Sequence, residues 1–339
     1  MSTDTATVNV VGAAAWDDLL DRIGITDAYL RYGWSAASAV IEEGEPVLLH
    51  YGDAGGDVVM PLLVRPVPEH AQLRDAITPY GYGGPIAVGD APPIEAFHAA
   101  ARAWMLDQRI VSLFVRFHPL MENHHLALPG TDVGALAGSV GWRLDQARDL
   151  ELDMHQRHRR IVRKARREGV EVAVVPASES LDAFRALYEE TMRRQEAARF
   201  YFFPDAYWEA LQQHFADQLM IVQATYEGEC AAALLLVATH PYVHYHLGAS
   251  SDTGRRIGAS NLCFLTAAQW GQSQGYEVLH LGGGVGGGAD SLFEFKSRFD
   301  PEFGVRDAYI GKLVVDPEAY ASLAGTVSTQ GFFPAYRDR

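Results

Sequence analysis

Cysteine is scarce in this 339-residue chain: there are two, Cys230 and Cys263, each inside an apolar run. That is too few for a disulfide scaffold, and a reduced, cytoplasmic protein is the default expectation. No stretch approaches eighteen apolar residues, so no helical membrane span is expected. Met1–Val10 has neither a basic segment nor a long apolar core, so no secretion signal is read there. Positive charge is also short, with 28 Lys+Arg against 43 Asp+Glu and a net charge of −15. This excludes a surface that is one broad nucleic-acid footprint and argues against DNA as a partner. A Gly-x-Ser-x-Gly elbow is missing, which argues against a serine hydrolase.

What is present is an ordinary globular composition. Hydrophobic residues are 48% and charged residues 21%, enough for a sizeable core, and the length suits two domains better than one. Ala14–Ile23 has helical spacing through Trp16, Leu19, Leu20 and Ile23. Pro46–Tyr51 and Val58–Val67 read as strands joined by the Asp/Gly-rich Gly52–Gly56. Thr78–Pro85 cannot be regular structure. Pro93–Gln108 reads as a helix and Val111–Phe117 as a strand.

The second half is more legible. Leu181–Arg199 carries an apolar helical stripe of Phe184, Leu187, Tyr188 and Met192. Pro204 suits the first turn of a helix running through Phe215. Leu219–Tyr226, Cys230–Thr239 and Tyr242–Leu247 are three successive strands. Ser260 is placed as the cap of a helix to Gln274, with Gly275 past its end. Glu277–Leu281 is a short strand, Leu292–Phe299 a short helix and Val305–Val315 a final strand. Each half therefore reads helix, antiparallel strands, helix, strand, an α+β pattern repeated.

Four segments carry candidate chemistry. His155–Arg167 holds seven Lys/Arg in thirteen residues with no acid. On a helix, Arg159, Arg163 and Arg167 share one face, and Arg160 and Lys164 the adjacent one. Like charges at this spacing repel, so the segment either binds phosphates, for which Arg is suited, or is a solvated face paired with the acidic remainder. Gly282–Gly288 has six glycines in seven residues. It lacks the Gly-Lys-Ser/Thr of a phosphate-binding Walker loop. It is either a tight connection or a place where backbone approaches substrate closely.

Asp290 to Phe299 follows, with Phe295 and Phe299 at core spacing and Lys296 and Arg298 off that face. Arg255-Arg256-Ile257-Gly258-Ala259-Ser260 precedes a helix, where backbone N–H groups favour anions. His240, His244 and His246 are close in sequence, but no Cys or carboxylate sits at ligand spacing, and no metal site is expected.

Several motifs, in this order, resemble those of the FemAB/FemX group of double-GNAT aminoacyltransferases. They are Tyr80-Gly-Tyr82-Gly-Gly-Pro85, the Arg159-x-x-x-Arg163-Lys164-Ala helix, Tyr245-His-Leu-Gly-Ala-Ser250, Leu281-Gly282-Gly283-Gly284 and Phe293-Glu294-Phe295-Lys296. The resemblance spans about residues 10–315. It implies an α+β protein of two tandem GNAT-like subdomains, each a mixed, largely antiparallel sheet flanked by helices, with a cleft between them. The expected boundaries are 1–150, a basic connecting helix at 151–169, a second subdomain at 170–325 and a loose tail at 326–339.

It also implies transfer of an amino acid from aminoacyl-tRNA to an amine, on a peptidoglycan precursor or a small molecule, with no tightly bound cofactor. Phe295-Lys296 matches the family's Phe-Lys pair, whose lysine faces the reacting ester. Arg159, Arg160, Arg163 and Lys164 match the phosphate-contacting region, and Tyr80, Tyr82 and Tyr245 would line the substrate cleft. The long helical arm of the staphylococcal members is absent. The competing donor is acyl-CoA, whose pyrophosphate loop is partly matched by Arg255, Arg256, Gly258 and Ser260. A third reading is a non-catalytic binding protein on a GNAT scaffold. On the transferase reading, Lys296 stabilises the tetrahedral oxyanion, helped by glycine-loop N–H groups, and Asp290 and Glu294 are candidate proton acceptors.

Overall fold

The computed structural model describes residues 7–338. The first six residues of the expected first subdomain, and Arg339 at the end of the expected tail, lie outside the described residues. The chain divides into two compact units: one runs through Leu136 and resumes at Asp307, and the other is Ala137–Arg306.

In the first unit the order is β1 (Asn9–Val11), α1 (Ala13–Arg22), α2 (Tyr32–Glu42), β2 (Glu45–Asp53), β3 (Gly56–Val67), β4 (His70–Ile77), β5 (Ile86–Val88), α3 (Ile94–Asp107), β6 (Ile110–Arg116) and β7 (Asp132–Ala135). The second unit has β8 (Ser139–Arg143), α4 (Leu150–Asp153), α5 (Gln156–Arg167), β9 (Glu171–Pro176), α6 (Ala177–Arg194), α7 (Asp205–Phe215), β10 (Leu219–Tyr226) and β11 (Glu229–Thr239). It continues with β12 (Tyr242–Ser250), α8 (Asp252–Ile257), α9 (Ala259–Ser273), β13 (Val278–Gly282), α10 (Ser291–Ser297) and β14 (Val305–Arg306). Then β15 (Tyr309–Val314) and α11 (Pro317–Ala324) complete the first unit.

The first sheet runs β1-β2-β3-β4-β6-β15-β7, with β5 also on β3. Among the described residues, its parallel strand pair is β4 with β6. The second runs β14-β8-β13-β12-β11-β10-β9, and there β12 and β13 are parallel. Each is thus a mixed, largely antiparallel sheet with flanking helices.

The sequence patterns explain the central strands. β3 and β11 are buried almost throughout and read as continuous apolar runs, as strands covered on both faces do. Along β11, Ala232, Leu234, Leu236 and Ala238 join one core with Val162 and Ala165 of α5 and Leu262, Cys263 and Leu265 of α9. The parallel pairing of β12 with β13 spans only Tyr242–His244 against Val278–His280. From Tyr245 onward the two strands part.

Several expectations are corrected. β8 pairs with β13, so the division falls at Leu136 rather than near residue 150. The basic helix is no separate connector, because Val162 and Ala165 bury it in the second core. Val305–Val315 is not one strand: β14 belongs to the second sheet and β15 to the first. The tail is not loose. Phe333 and Tyr336 are buried beside Tyr320, and the Tyr336 hydroxyl is 2.8 Å from Ser112 Oγ. Ser260 does not cap α9; Gly258, at φ 82°, occupies that position, and Ser251 Oγ instead accepts from Gly254 N–H to cap α8.

Candidate active site

Where β12 and β13 part, Lys296 enters from α10. The side chain is 6% exposed, with Nζ donating to the Gly283 carbonyl at 2.7 Å and lying 5.4 Å from the centroid of the Tyr245 ring. Burial pushes its ammonium down to about 8, and the Asp290 charge only partly offsets this. The walls are aromatic. Tyr245 meets Phe264 edge-on at 4.9 Å, and Phe264 meets Phe295 at 5.7 Å. A largely desolvated cation in an apolar, aromatic site is a group poised to meet developing negative charge.

The glycine run and the acid after it hold α10 in place. Asp290 caps that helix: one carboxylate oxygen accepts from Phe293 N–H at 2.8 Å and the other from Val285 N–H at 2.9 Å. These bonds hold its carboxyl below the usual carboxylate range. A Cβ on Gly284 would lie 2.3 Å from the Gly288 carbonyl and 2.4 Å from Asp290, so only glycine permits this tight loop.

Asp290 is saturated by amides, and exposed Glu294 is paired with Arg298 one turn on. The amides of Val285, Gly287 and Gly288 are also used within the loop, which narrows the help it can give to an oxyanion. Of Gly282, Gly283 and Gly284, Gly283 is the one bonded directly to Lys296.

The basic helix is joined to the lysine helix. His155 N–H donates to the Arg298 carbonyl and His158 Nε2 bonds the Phe295 carbonyl, both at 2.9 Å. His158 is 1% exposed, and burial lowers it to about 4, so it is neutral and Nε2 carries the proton it donates. No separate signal marks this histidine in the sequence, where it sits inside a charge run. Of the expected phosphate contacts, Arg160 and Arg163 are exposed and make no hydrogen bond or ion pair among the described residues. Arg159 is held by the Leu152 carbonyl, and Lys164 by the Arg256 carbonyl at 2.7 Å.

That last bond places α5 against the segment expected to cradle a CoA pyrophosphate. A Cβ on Gly258 would lie 2.3 Å from Ile161 Cγ2 of α5. Arg255 faces Asp252 at 3.7 Å, Arg256 is exposed, and Ser260 lies in the first turn of α9.

Tyr80 and Tyr82 belong to the first unit. There the Tyr80 carbonyl accepts from Trp34 Nε1 at 2.6 Å, and Tyr82 meets Tyr29 edge-on at 5.6 Å. The three histidines have different neighbours. His240 stacks on Tyr276 at 4.3 Å, His244 bonds His280 at 3.1 Å, and His246 bonds the Tyr207 hydroxyl at 2.8 Å. Burial lowers His246 to about 3.

The model of the acetyltransferase (GNAT) domain family matches residues 153–297, the stretch that holds α5, Tyr245, the glycine run and Lys296. Over that stretch the chain is similar to GNAT acetyltransferase domains. No curated protein matches the sequence. Among solved structures it is similar to FemX, with a TM-score of 0.70 at 13% identity over 93% of this chain and 99% of that one. It is similar to L-PGS from Bacillus licheniformis, at 0.53 and 16% over 88% and 90%. A tandem GNAT protein from the clavulanic acid biosynthesis pathway gives 0.54 and 10% over 91% and 98%. At these identities the chain shares a fold with them, two GNAT-like units in tandem.

Proposed function

We propose that this chain transfers an aminoacyl group from aminoacyl-tRNA to an amine of a small-molecule or peptidoglycan-precursor acceptor, forming an amide. The observation that carries this reading is the union of α5 with α10. A helix presenting the unpaired, exposed Arg160 and Arg163 is hydrogen-bonded at its N-terminus to the helix that carries Lys296. Phosphates held on α5 would bring an ester attached to the same molecule toward the buried lysine. The similarity in fold to FemX and L-PGS is consistent with this donor.

The amine nitrogen attacks the ester carbonyl, and a C–N bond forms as the carbonyl π pair moves onto oxygen. Protonated Lys296 stabilises that oxyanion. The C–O bond to the ribose then breaks, the leaving oxygen takes up a proton, and the amine gives one up to water or to the substrate itself. Neither Asp290 nor Glu294 is assigned this proton.

The acyl-CoA reading is weaker. Ile161 and Lys164 of α5 cover part of the loop that would hold a pyrophosphate. Parallel low-salt titrations with bulk aminoacylated tRNA and with acetyl-CoA test the choice. The expected result is salt-sensitive tRNA binding that is lost when Arg160 and Arg163 become Ala. Binding of acetyl-CoA alone would overturn the proposal.

A further inference from the structure

The first unit holds a cavity of about 460 Å³, inside the ordinary range of small-molecule sites. Arg65 of β3 and Val67 are its buried lining residues, and Arg337 lies half-buried beside them. Every lining residue belongs to the first unit, and none takes part in the Lys296 site.

Two guanidinium groups are fixed side by side there, because both grip one carboxylate. Arg65 Nε donates to Asp75 Oδ1 and its Nη1 to Glu42 Oε2, each at 2.8 Å. Arg337 Nε takes Asp75 Oδ2 at 2.5 Å, and its Nη2 donates to the Pro66 carbonyl at 2.7 Å. One nitrogen of each is left over. Arg65 Nη2 and Arg337 Nη1 have no acceptor among the described residues, yet neither is shut off from solvent. Arg65 is 7% exposed, so the cavity it lines is what reaches its spare nitrogen. The second oxygen of Glu42, Oε1, is likewise open.

The surroundings are acidic. Glu43 ends α2 in the left-handed region at φ 53°, and Glu69 turns the β3–β4 hairpin at φ 64°. These turns bring two further acids to the exposed edge of the cavity. Two guanidinium groups therefore stand among four carboxylates, those of Glu42, Glu43, Glu69 and Asp75.

That balance selects the ligand. A bare carboxylate would enter against a negative field, and a bare ammonium would leave two guanidinium donors unmet. A molecule with both charges satisfies both, its carboxylate on Arg65 Nη2 and Arg337 Nη1 and its ammonium on Glu43 and Glu42 Oε1. Val67, Pro68 and Ala71 supply an apolar wall. We propose that this cavity is a binding site for a zwitterionic α-amino acid with an apolar side chain. The site goes beyond the transfer reading and does not rest on it.

The test is titration calorimetry on the full chain at neutral pH with three probes. L-Leucine carries both charges, N-acetyl-L-leucine only the carboxylate, and L-leucinamide only the ammonium. L-Leucine is expected to bind with a dissociation constant on the order of 1 mM, and each single-charge probe about tenfold or more weakly. Glu43 makes no ion pair or side-chain hydrogen bond among the described residues, so Glu43→Gln is expected to melt as its parent does. The same variant is expected to weaken L-leucine about tenfold.

No saturable binding of L-leucine up to about 20 mM, a single-charge probe that matches it, or unchanged affinity in Glu43→Gln would each overturn the proposal. Lys296→Met is expected to bind L-leucine as its parent does, and loss in that variant would place the amino acid at the lysine instead. Aminoacyl transfer is read in a separate assay, so either inference can fail alone.

Discussion

His158 Nε2 lies 2.9 Å from the carbonyl oxygen of Phe295, the residue that precedes Lys296. The bond ties the arginine-rich helix α5 to the lysine-bearing one, and it requires a neutral, buried imidazole. His158 in the fold sits at about 4, against 6.5 unfolded. The unfolded chain therefore binds more protons between these values, and the stability this histidine contributes is present above pH 6.5 and lost on acidification toward 4. Urea unfolding at pH 7 and pH 5 is expected to show a loss that shrinks in His158→Gln. An unchanged pH dependence in that variant would detach His158 from the acid sensitivity.

Lys296 has a consequence of the same sign for stability, in a higher pH window. Its folded value of about 8 lies below the ordinary 10.5 because burial disfavours the charge. At neutral pH the charged form costs on the order of 3 kcal/mol, a penalty that fades as pH rises from 8 to 10.5. Lys296→Met is expected to raise the melting temperature at pH 7 while lowering turnover by roughly 10²–10³, the usual effect of losing one oxyanion donor. Near-normal turnover in this variant would remove Lys296 from the chemistry.

The same value sets a pH profile. If the protonated amine stabilises the oxyanion, single-turnover transfer falls as pH rises through about 8. A rate that climbs through the same point would make the neutral amine the working species, acting as a base.

Asp290 and Glu294 separate structure from chemistry. Asp290→Ala removes a cap that holds Phe293 and Val285 amides, and a loss of about 0.5–2 kcal/mol is expected from denaturant unfolding. Glu294→Gln removes one exposed pairing with Arg298 and is expected to leave stability and transfer nearly unchanged. A Glu294→Gln enzyme with transfer abolished would restore the glutamate as proton acceptor.

Much of the second unit was legible because its elements repeat one simple rule at a time. The expected strands 219–226 and 230–239 coincide with β10 and β11, whose apolar runs and intervening Gly228 leave little ambiguity. In the first unit α2 was missed. Its segment Tyr32-Gly-Trp-Ser-Ala-Ala-Ser is rich in small residues and has a faint stripe, and tertiary packing rather than periodicity makes it a helix. β4 was missed because its first half is polar and exposed.

The switch between sheets at Asp307–Ala308 has no local mark, since a strand's partner is a long-range choice. For the site, residue type pointed to Lys296 and the arginines of α5. Burial, which sets the lysine's acidity, the Asp290 cap and the bond from His158 are all products of contacts across more than a hundred residues or of local turns invisible to periodicity.

The central claim is that phosphate binding on α5 and charge stabilisation by Lys296 serve one acyl transfer. Its most direct test is single-turnover transfer from bulk aminoacylated tRNA to hydroxylamine, a small surrogate amine, measured above the uncatalysed rate. Wild-type protein is expected to form aminoacyl hydroxamate. Lys296→Met is expected to bind the tRNA normally and transfer roughly 10²–10³ more slowly, and Arg160→Ala with Arg163→Ala to fail at binding. Wild-type protein that forms no hydroxamate above background, or a Lys296→Met protein that forms it at the wild-type rate, would contradict the account.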